Sequence, residues 1–484
     1  MEYIENKAVE QEQVQGIIKD IIKYAPSKFI GFVGNALIVP VYTNILQPEQ
    51  YGLYSLSIAL LSFLCILFSD WIGLSGLRFF RQYQLTEDIP KYMTTLVSML
   101  TFNIILMFVV AYFFQDNFYN FFHIPVKYFF AILFLIIPVA IRALLFQLIR
   151  AQLKSMSFTL STIVNQFLTI GLSVFFVKFF NMGAMGMLLG MGVSISLIDL
   201  LLIYQSNIIK WFKFQKIEWK FLLPIFKYGI PIAATSLSAW IINQSNKFIM
   251  NGISGFSDAG LVGVGYGLTL PMLMTIFATI TVAAIPRIIN MYEEKIDVRP
   301  IISRFTGYYL LISLPIVIVM TLYSNQYVSI FANEKFYMAY KLIPYFSFGT
   351  FFLALTDYTT LQYHLANKTY IDFIIKLVSG IVGVILNIIL IPKMGLLGVG
   401  LATLIANCLY FLLSVIIVLP NLRFQLPTSR IFKMLGAFIP FFMLYSTYKH
   451  AYSIFPLVEM LSLLLIFYSS YWIIAGILRR LGKC

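Results

Sequence analysis

The chain has 484 residues, 60% of them hydrophobic and 17% aromatic, and only 11% charged; a soluble domain of this size carries about twice that charge. The net charge of +14 does not mark a nucleic-acid-binding protein, because the basic residues fall in short segments between apolar runs rather than in one soluble patch. The alternating ten-residue segments of an outer-membrane barrel are not seen, and the recurring long apolar runs predict an all-α polytopic membrane protein.

The chain opens on "MEYIENKAVEQEQVQG", which is polar and acidic, so residues 1–26 are expected to form a cytoplasmic N-terminal segment without a cleavable signal. Fourteen apolar spans of about 20 residues follow, at 27–46, 53–77, 92–114, 128–148, 157–179, 184–204, 229–251, 260–284, 303–323, 341–363, 369–391, 395–418, 431–449 and 455–477. The first six make an N-terminal bundle over 27–205, and 206–228 is a basic cytoplasmic linker. A second six-helix bundle covers 229–418, and 419–484 holds two extra helices and a cytoplasmic tail. With the N-terminus inside, roughly 26 of the 34 Lys and Arg fall on the inner side, as the positive-inside rule requires. Both termini are therefore expected in the cytoplasm, and the chain in a bacterial cytoplasmic (inner) membrane.

The halves repeat one another. "QYGL" at 50–53 and "DAGL" at 258–261 are 208 residues apart, each between the first and second spans of its half. "NMGAMG" at 181–186 and "KMGLLG" at 393–398 are 212 apart, and at that offset Leu153 matches Leu365 and Gly171 matches Gly383. Because six is even, both halves have the same orientation, which predicts a pseudo-twofold axis along the membrane normal and a central cleft between two bundles that rock.

"VPVYTNILQPEQYGLYSLSIAL" (39–60), "GLRFFRQY" (76–83) and "INQSNKFIMNGISG" (242–255) resemble the polysaccharide biosynthesis family of Wzx-type flippases. That family belongs to the MOP (MATE-like) exporter superfamily, with the multidrug exporters and the lipid II flippases. The resemblance covers the first twelve spans. In the family an acidic residue usually precedes the basic one in the third stretch; here Asn246 stands in that place. The resemblance implies a V-shaped pair of bundles, a cationic cavity and no bound nucleotide. It implies a substrate too: an oligosaccharide repeat unit on undecaprenyl pyrophosphate, moved from the inner to the outer leaflet for O-antigen, capsule or exopolysaccharide. Partners expected with it are membrane lipids and the polysaccharide polymerase and chain-length machinery, with no nucleic acid.

Charges inside spans narrow the search, since each costs about 2.5–3.5 kcal/mol at mid-bilayer and needs a partner, a cavity or a task. Asp70 and Arg142 fall at similar depth and can pair; Asp357 and Lys376 do likewise. The readings left open are structural ion pairs, or a carboxylate, Asp70 or Asp357, that exchanges a coupling ion, H+ or Na+, as the bundles rock. No other cofactor is expected, and no metal. Arg78, Arg81 and Arg287 sit at inner ends of spans, where they either anchor the helices or, with Arg142, meet an incoming pyrophosphate. On 238–250, Trp240, Asn243, Gln244 and Lys247 follow the i, i+3, i+4, i+7 rule and share one face. An indole stacks on sugar, amides bond hydroxyls and an ammonium holds phosphate, so this face is expected to meet substrate.

Other chemistries find less support. There is no G-x-x-x-x-G-K-[ST] stretch despite "GVGYG" at 263–267. His123, His364 and His450 read as isolated, and Cys65, Cys408 and Cys484 have no paired spacing. A non-enzymatic transporter is therefore expected. The alternatives are a MATE-type multidrug or cation antiporter, which would favour an acidic, apolar cavity, and a peptidoglycan-precursor (lipid II) flippase. A membrane polymerase or ligase needs a large charged outer loop, which is lacking.

Overall fold

The computed structural model describes residues 31, 33–34, 36–212, 218–419, 422, 427–450 and 456–480; the predicted segment 1–26 and Cys484 lie outside them. Among the described residues every long element is an α-helix: α1 (Ala36–Ile45), then α2 (Pro48–Phe68), α3 (Asp70–Leu85), α4 (Ile89–Phe122), α5 (Val126–Ala151), α6 (Ser155–Phe180) and α7 (Gly183–Ser206). A one-turn α8 (Ile208–Trp211) precedes α9 (Trp219–Ser254), α10 (Phe256–Glu293), α11 (Arg299–Leu322) and α12 (Ser324–Phe331). A 3-10 segment (Glu334–Lys341) leads into α13 (Ile343–Leu365), followed by α14 (Thr369–Met394), α15 (Leu396–Ile416), α16 (Thr428–His450) and α17 (Pro456–Arg480). Twelve of these helices are long and apolar enough to cross a membrane, or 13 with the 3-10 segment and α13 taken as one span bent by 59°. The chain is a multi-pass membrane protein.

Among the described residues the predicted count of fourteen is not reached. The described regular part of the span expected at 27–46 is Ala36–Ile45, too short to cross by itself. The span expected at 53–77 is two helices, because the backbone leaves helical geometry at Ser69 (φ −135°, ψ −45°). Three of the carbonyls that such a break strands, those of Cys65, Leu67 and Phe68, are met. Ser69 N–H and Oγ both donate to Cys65 O (2.9 and 3.0 Å), Trp71 Nε1 donates to Leu67 O (3.0 Å), and Asn103 Nδ2 donates to Phe68 O (3.2 Å). With no water in a bilayer core, those side chains are what make a broken helix tolerable there.

The residues group into two compact units: one of Val33–Val264 with Lys376–Val399, the other of Met1–Phe32, Gly265–Ile375 and Gly400–Cys484. In the first, α3 buries Trp71, Ile72, Ser75, Gly76 and Phe80. Ser75 Oγ donates to Trp71 O (2.8 Å) and lies 3.4 Å from Ile225 O of α9, and a Cβ on Gly229 of α9 would meet the Trp71 ring at 2.3 Å. Within the same unit the starts of α2 and α10 cross at two glycines. A Cβ on Gly52 would lie 1.9 Å from Phe256 O, and one on Gly260 would lie 2.2 Å from Pro48 O. Adding 208 to 48 and 52 gives 256 and 260, so each glycine meets the carbonyl equivalent to the one its counterpart meets.

In the second unit, Tyr309 of α11 stacks on Phe351 of α13 (centroids 5.7 Å apart) and its hydroxyl donates to Phe351 O (3.2 Å). Arg430, at the start of α16, lies over the Tyr308 ring at 4.0 Å and donates to Arg304 O (2.6 Å). That contact fastens the extra helices to α11 by a cation–π interaction and a hydrogen bond.

The turns carry the internal repeat as backbone conformation. Left-handed φ occurs at Glu87 (59°) and Lys295 (62°), and at Gly183 (53°) and Gly395 (55°), pairs that are 208 and 212 apart. Leu153 (59°) finds its counterpart not in Leu365, as the sequence match has it, but in Asn367 (55°), 214 residues on. The flanking hydrogen bonds agree: Lys154 N–H to Ile149 O (3.1 Å) and Lys368 N–H to Tyr363 O (2.8 Å).

Candidate functional site

Asp70 is the first residue of α3, where a carboxylate is favoured by the helix dipole and the unfilled N–H groups. Its carboxylate lies 3.4 Å from Ser69 Oγ. Leu74, Arg78 and Arg81 continue the same face at helical spacing, and both arginines are exposed. Arg81 Nη1 donates to Gln84 Oε1 (2.8 Å), and Arg78 sits 5.9 Å from the Phe79 ring. While α3's opposite face is committed to the core, this one is open. Over about 16 Å of helix it runs from an acid at the break to two guanidinium groups.

Asp70 and Arg142 form no ion pair among the described residues. The acid that acts on Arg142 is Asp199 of α7, a residue the sequence reading did not single out. Asp199 is 5% exposed, and neither of its carboxylate oxygens has a hydrogen-bond partner among the described residues. Cys65, in the last turn of α2, interacts electrostatically with both Asp70 and Arg142. The break between α2 and α3 thus places Asp70 and Arg142 near a buried thiol, and Arg142 in turn interacts with Asp199.

On α9, Lys247 and Asn246 are buried. Beside them Asn243 Nδ2 donates to Ala239 O (2.9 Å), while Asn243 Oδ1 and Gln244 Oε1 are buried and accept no hydrogen bond among the described residues. Trp240 is otherwise engaged. Its Nε1 donates to Ala59 O (2.9 Å) and Ser62 Oγ (3.1 Å) of α2, and its ring packs on Phe63 (4.9 Å) and Phe248 (5.7 Å). Trp240 is thereby a staple between α9 and α2. Trp240→Phe keeps the packing and loses the N–H bonds, so a loss of about 1 kcal/mol is expected. Thermal denaturation of the detergent-solubilised protein measures it.

The remaining candidates are spread more widely. Arg287 is half-buried on α10. Asp357 is exposed on α13 and Lys376 half-buried on α14; they belong to different compact units. The structure also departs from the reading of His364 as isolated. Its Nε2 lies 3.7 Å from Oδ2 of Asp372, and the other oxygen of that buried carboxylate accepts from Tyr410 Oη at 2.6 Å. His450's side chain lies outside what is described. No group of three or more His, Cys, Asp or Glu that could hold a metal ion occurs among the described residues.

A family model described as "Polysaccharide biosynthesis protein" matches residues 17–292. An uncharacterized membrane protein of Methanocaldococcus jannaschii is 24% identical over 395 residues, covering 78% of this chain and 91% of that one. Among solved structures, the lipid II flippase MurJ in an inward closed conformation superposes with a TM-score of 0.71 at 17% identity, over 95% of this chain and 98% of MurJ. An inward-facing multidrug resistance MATE family transporter of the MOP superfamily gives a TM-score of 0.66 at 12% identity, over 80% of this chain and 93% of that one. Those likenesses establish a shared fold. The family match spans more than half of the sequence, and the chain belongs to the polysaccharide biosynthesis protein family.

Proposed function

We propose that this protein is a flippase that moves an undecaprenyl-pyrophosphate-linked oligosaccharide from the inner to the outer leaflet of the cytoplasmic membrane, by alternating access coupled to H+ or Na+. What carries the reading, beyond the family, is the polar face of α9: a buried ammonium, Lys247, within one turn of two buried amide oxygens that accept no hydrogen bond among the described residues. Such oxygens are costly to leave unfilled, and sugar hydroxyls are suitable donors. Arg78 and Arg81 on the open face of α3 supply the cations a pyrophosphate requires. In this reading Asp70, Asp199 and Asp357 are the candidates for the coupling ion, and a polymerase acts on the delivered unit. The termini lie in the cytoplasm, and the two halves are related by a pseudo-twofold axis along the membrane normal.

A second reading is favoured by one observation. The likeness to MurJ runs over 95% of the chain, against 80% for the MATE transporter, so a peptidoglycan precursor is the nearest rival cargo. Complementation separates the two. Expressed in a strain lacking its repeat-unit flippase, the wild type is expected to restore surface polymer. Lys247→Ala at equal membrane level is expected to lose it. Rescue of a strain lacking its lipid II flippase, with no polymer in the first, would transfer the assignment to the rival. An unaffected Lys247→Ala would remove α9 from the substrate path.

A further inference from the structure

In the first compact unit, α4, α5 and the end of α7 leave an apolar groove between them, with a volume of about 560 Å³. It runs from Val97 to Ile105 on α4 and from Ile137 to Leu145 on α5, which is about 12 Å along each helix. Phe212, just beyond α8, lines one end. Among the described residues that line the groove, Thr101 alone has a polar side chain, and its hydroxyl donates to Val97 O (2.9 Å). The walls therefore offer an occupant no free side-chain donor. What fills such a space in a bilayer is hydrocarbon.

The end at α8 has a different chemistry. Asn207 takes a left-handed conformation (φ 56°) that ends α7 and starts α8. On that short helix Trp211 is half-buried against Phe80 (5.4 Å), and Lys210 is exposed. Lys154 Nζ donates to Gln205 O (2.6 Å) and Gln152 Nε2 to Ser206 O (2.7 Å), which fastens the turn between α5 and α6 to the end of α7. Residues 150–158 and 200–212 together hold Arg150, Lys154 and Lys210 and no acid. Tryptophan and lysine at the end of apolar helices mark a membrane–water interface. From there the groove reaches about 12 Å inward, against about 15 Å for half of the hydrocarbon core.

We propose that this groove binds one anionic glycerophospholipid of the leaflet on the α8 side, with an acyl chain between α4 and α5 and the phosphate at Lys210. Length selects the chain: the groove has the depth of one leaflet, and a long polyprenyl tail would overrun it. Charge selects the headgroup, because a cluster of cations without an acid attracts an anionic lipid. A zwitterionic headgroup brings its own ammonium to the same cations and is disfavoured. The site is independent of the cargo the protein moves.

Native mass spectrometry of the delipidated full chain tests this. The protein in detergent is titrated with phosphatidylglycerol or phosphatidylethanolamine of identical chains, and the affinity for the first lipid bound is read. Phosphatidylglycerol is expected to bind at least about tenfold more tightly, each basic residue near the headgroup adding about fivefold at most. Lys210→Gln, at an exposed position, is expected to shrink that preference by about fivefold. Ile105→Trp, at a lining position that is 57% exposed, fills the groove and is expected to weaken both lipids while leaving their ratio unchanged. Lys178→Gln removes an exposed cation about 36 Å along α6 from Lys154, and is expected to alter neither affinity. Equal affinity for the two lipids would overturn the proposal, as would a preference that survives Lys210→Gln or falls equally in Lys178→Gln. Displacement of phosphatidylglycerol by equimolar undecaprenyl phosphate, abolished in Ile105→Trp, would replace the acyl chain with a polyprenyl tail and overturn it too. Should Ile105→Trp fail to fold, Lys210→Gln decides.

Discussion

Gly52→Ala and Gly260→Ala are each expected to prevent stable folding, and to do so to a similar degree. The added methyl would meet a carbonyl oxygen at 1.9 Å in one case and 2.2 Å in the other, distances no Cβ tolerates. The obstacle in each case is backbone, so no side-chain rotation relieves it, and α2 and α10 must separate along their crossing. Overpacking of a core costs about 1–3 kcal/mol when side chains can adjust; a backbone clash at a helix crossing is expected at or beyond the upper end, about 3 kcal/mol. The comparison that isolates the effect is Gly171→Ala. Nothing lies within 4 Å of a Cβ there, and a helical glycine replaced by alanine gains up to about 1 kcal/mol in helix propensity. Size-exclusion profiles after graded heating give the ranking. Equal stability of Gly260→Ala and wild type would show that the crossing is looser than described.

The second large effect concerns Arg142 and Asp199. Asp199 is buried and Arg142 half-buried, and they act on one another electrostatically without a hydrogen bond among the described residues; removing either leaves the other's charge less compensated, which costs stability. Arg142→Met and Asp199→Asn should therefore each lower folded yield. Replacing both partners removes the stranded charge with its neutraliser, so Arg142→Met combined with Asp199→Asn should be more stable than Arg142→Met alone. A double-mutant cycle on melting temperature measures the coupling. Simple additivity would mean that Arg142 answers to another group, and Asp70→Asn in the same cycle identifies whether that group is the acid at the break. If the double variant folds but no longer exports polymer, the pair has a role in transport beyond stability.

These two cases also show how far the amino-acid pattern reaches. The glycines were legible because a repeat displays itself as identical letters at a fixed offset, and close helix approach needs glycine. Asp199 was not, since it stands five residues from the end of its predicted span and reads there as an ordinary interfacial acid. Only the placement of α5 beside α7 makes it an interior charge. His364 and Asp372 are eight residues apart across a turn, and neither a 3.6-residue period nor a local motif brings them together. The left-handed Asn367 lies in the turn that does. The break at Ser69 was hidden for a related reason, because an apolar run has the same composition whether its helix is continuous or not. The polar face of α9 was legible as periodicity, whereas the diversion of Trp240 to α2 depends on a neighbour 181 residues earlier.

The break at Ser69 has a consequence for how the chain is made. Beyond Glu49 and Gln50 in its first turn, α2 is predominantly apolar and can partition into the bilayer as it leaves the ribosome. α3 is not, since its first residue is Asp70 and its last turns hold Arg78, Arg81, Gln82 and Gln84. The partners that bury its apolar side include Ala143 and Leu144 of α5 and Ile225 and Gly229 of α9, which are synthesised later. A nascent chain that ends before Trp219 therefore lacks the α9 part of the surface that covers α3. The packing of α3 is then completed only on the arrival of α9, so insertion order and folding order differ.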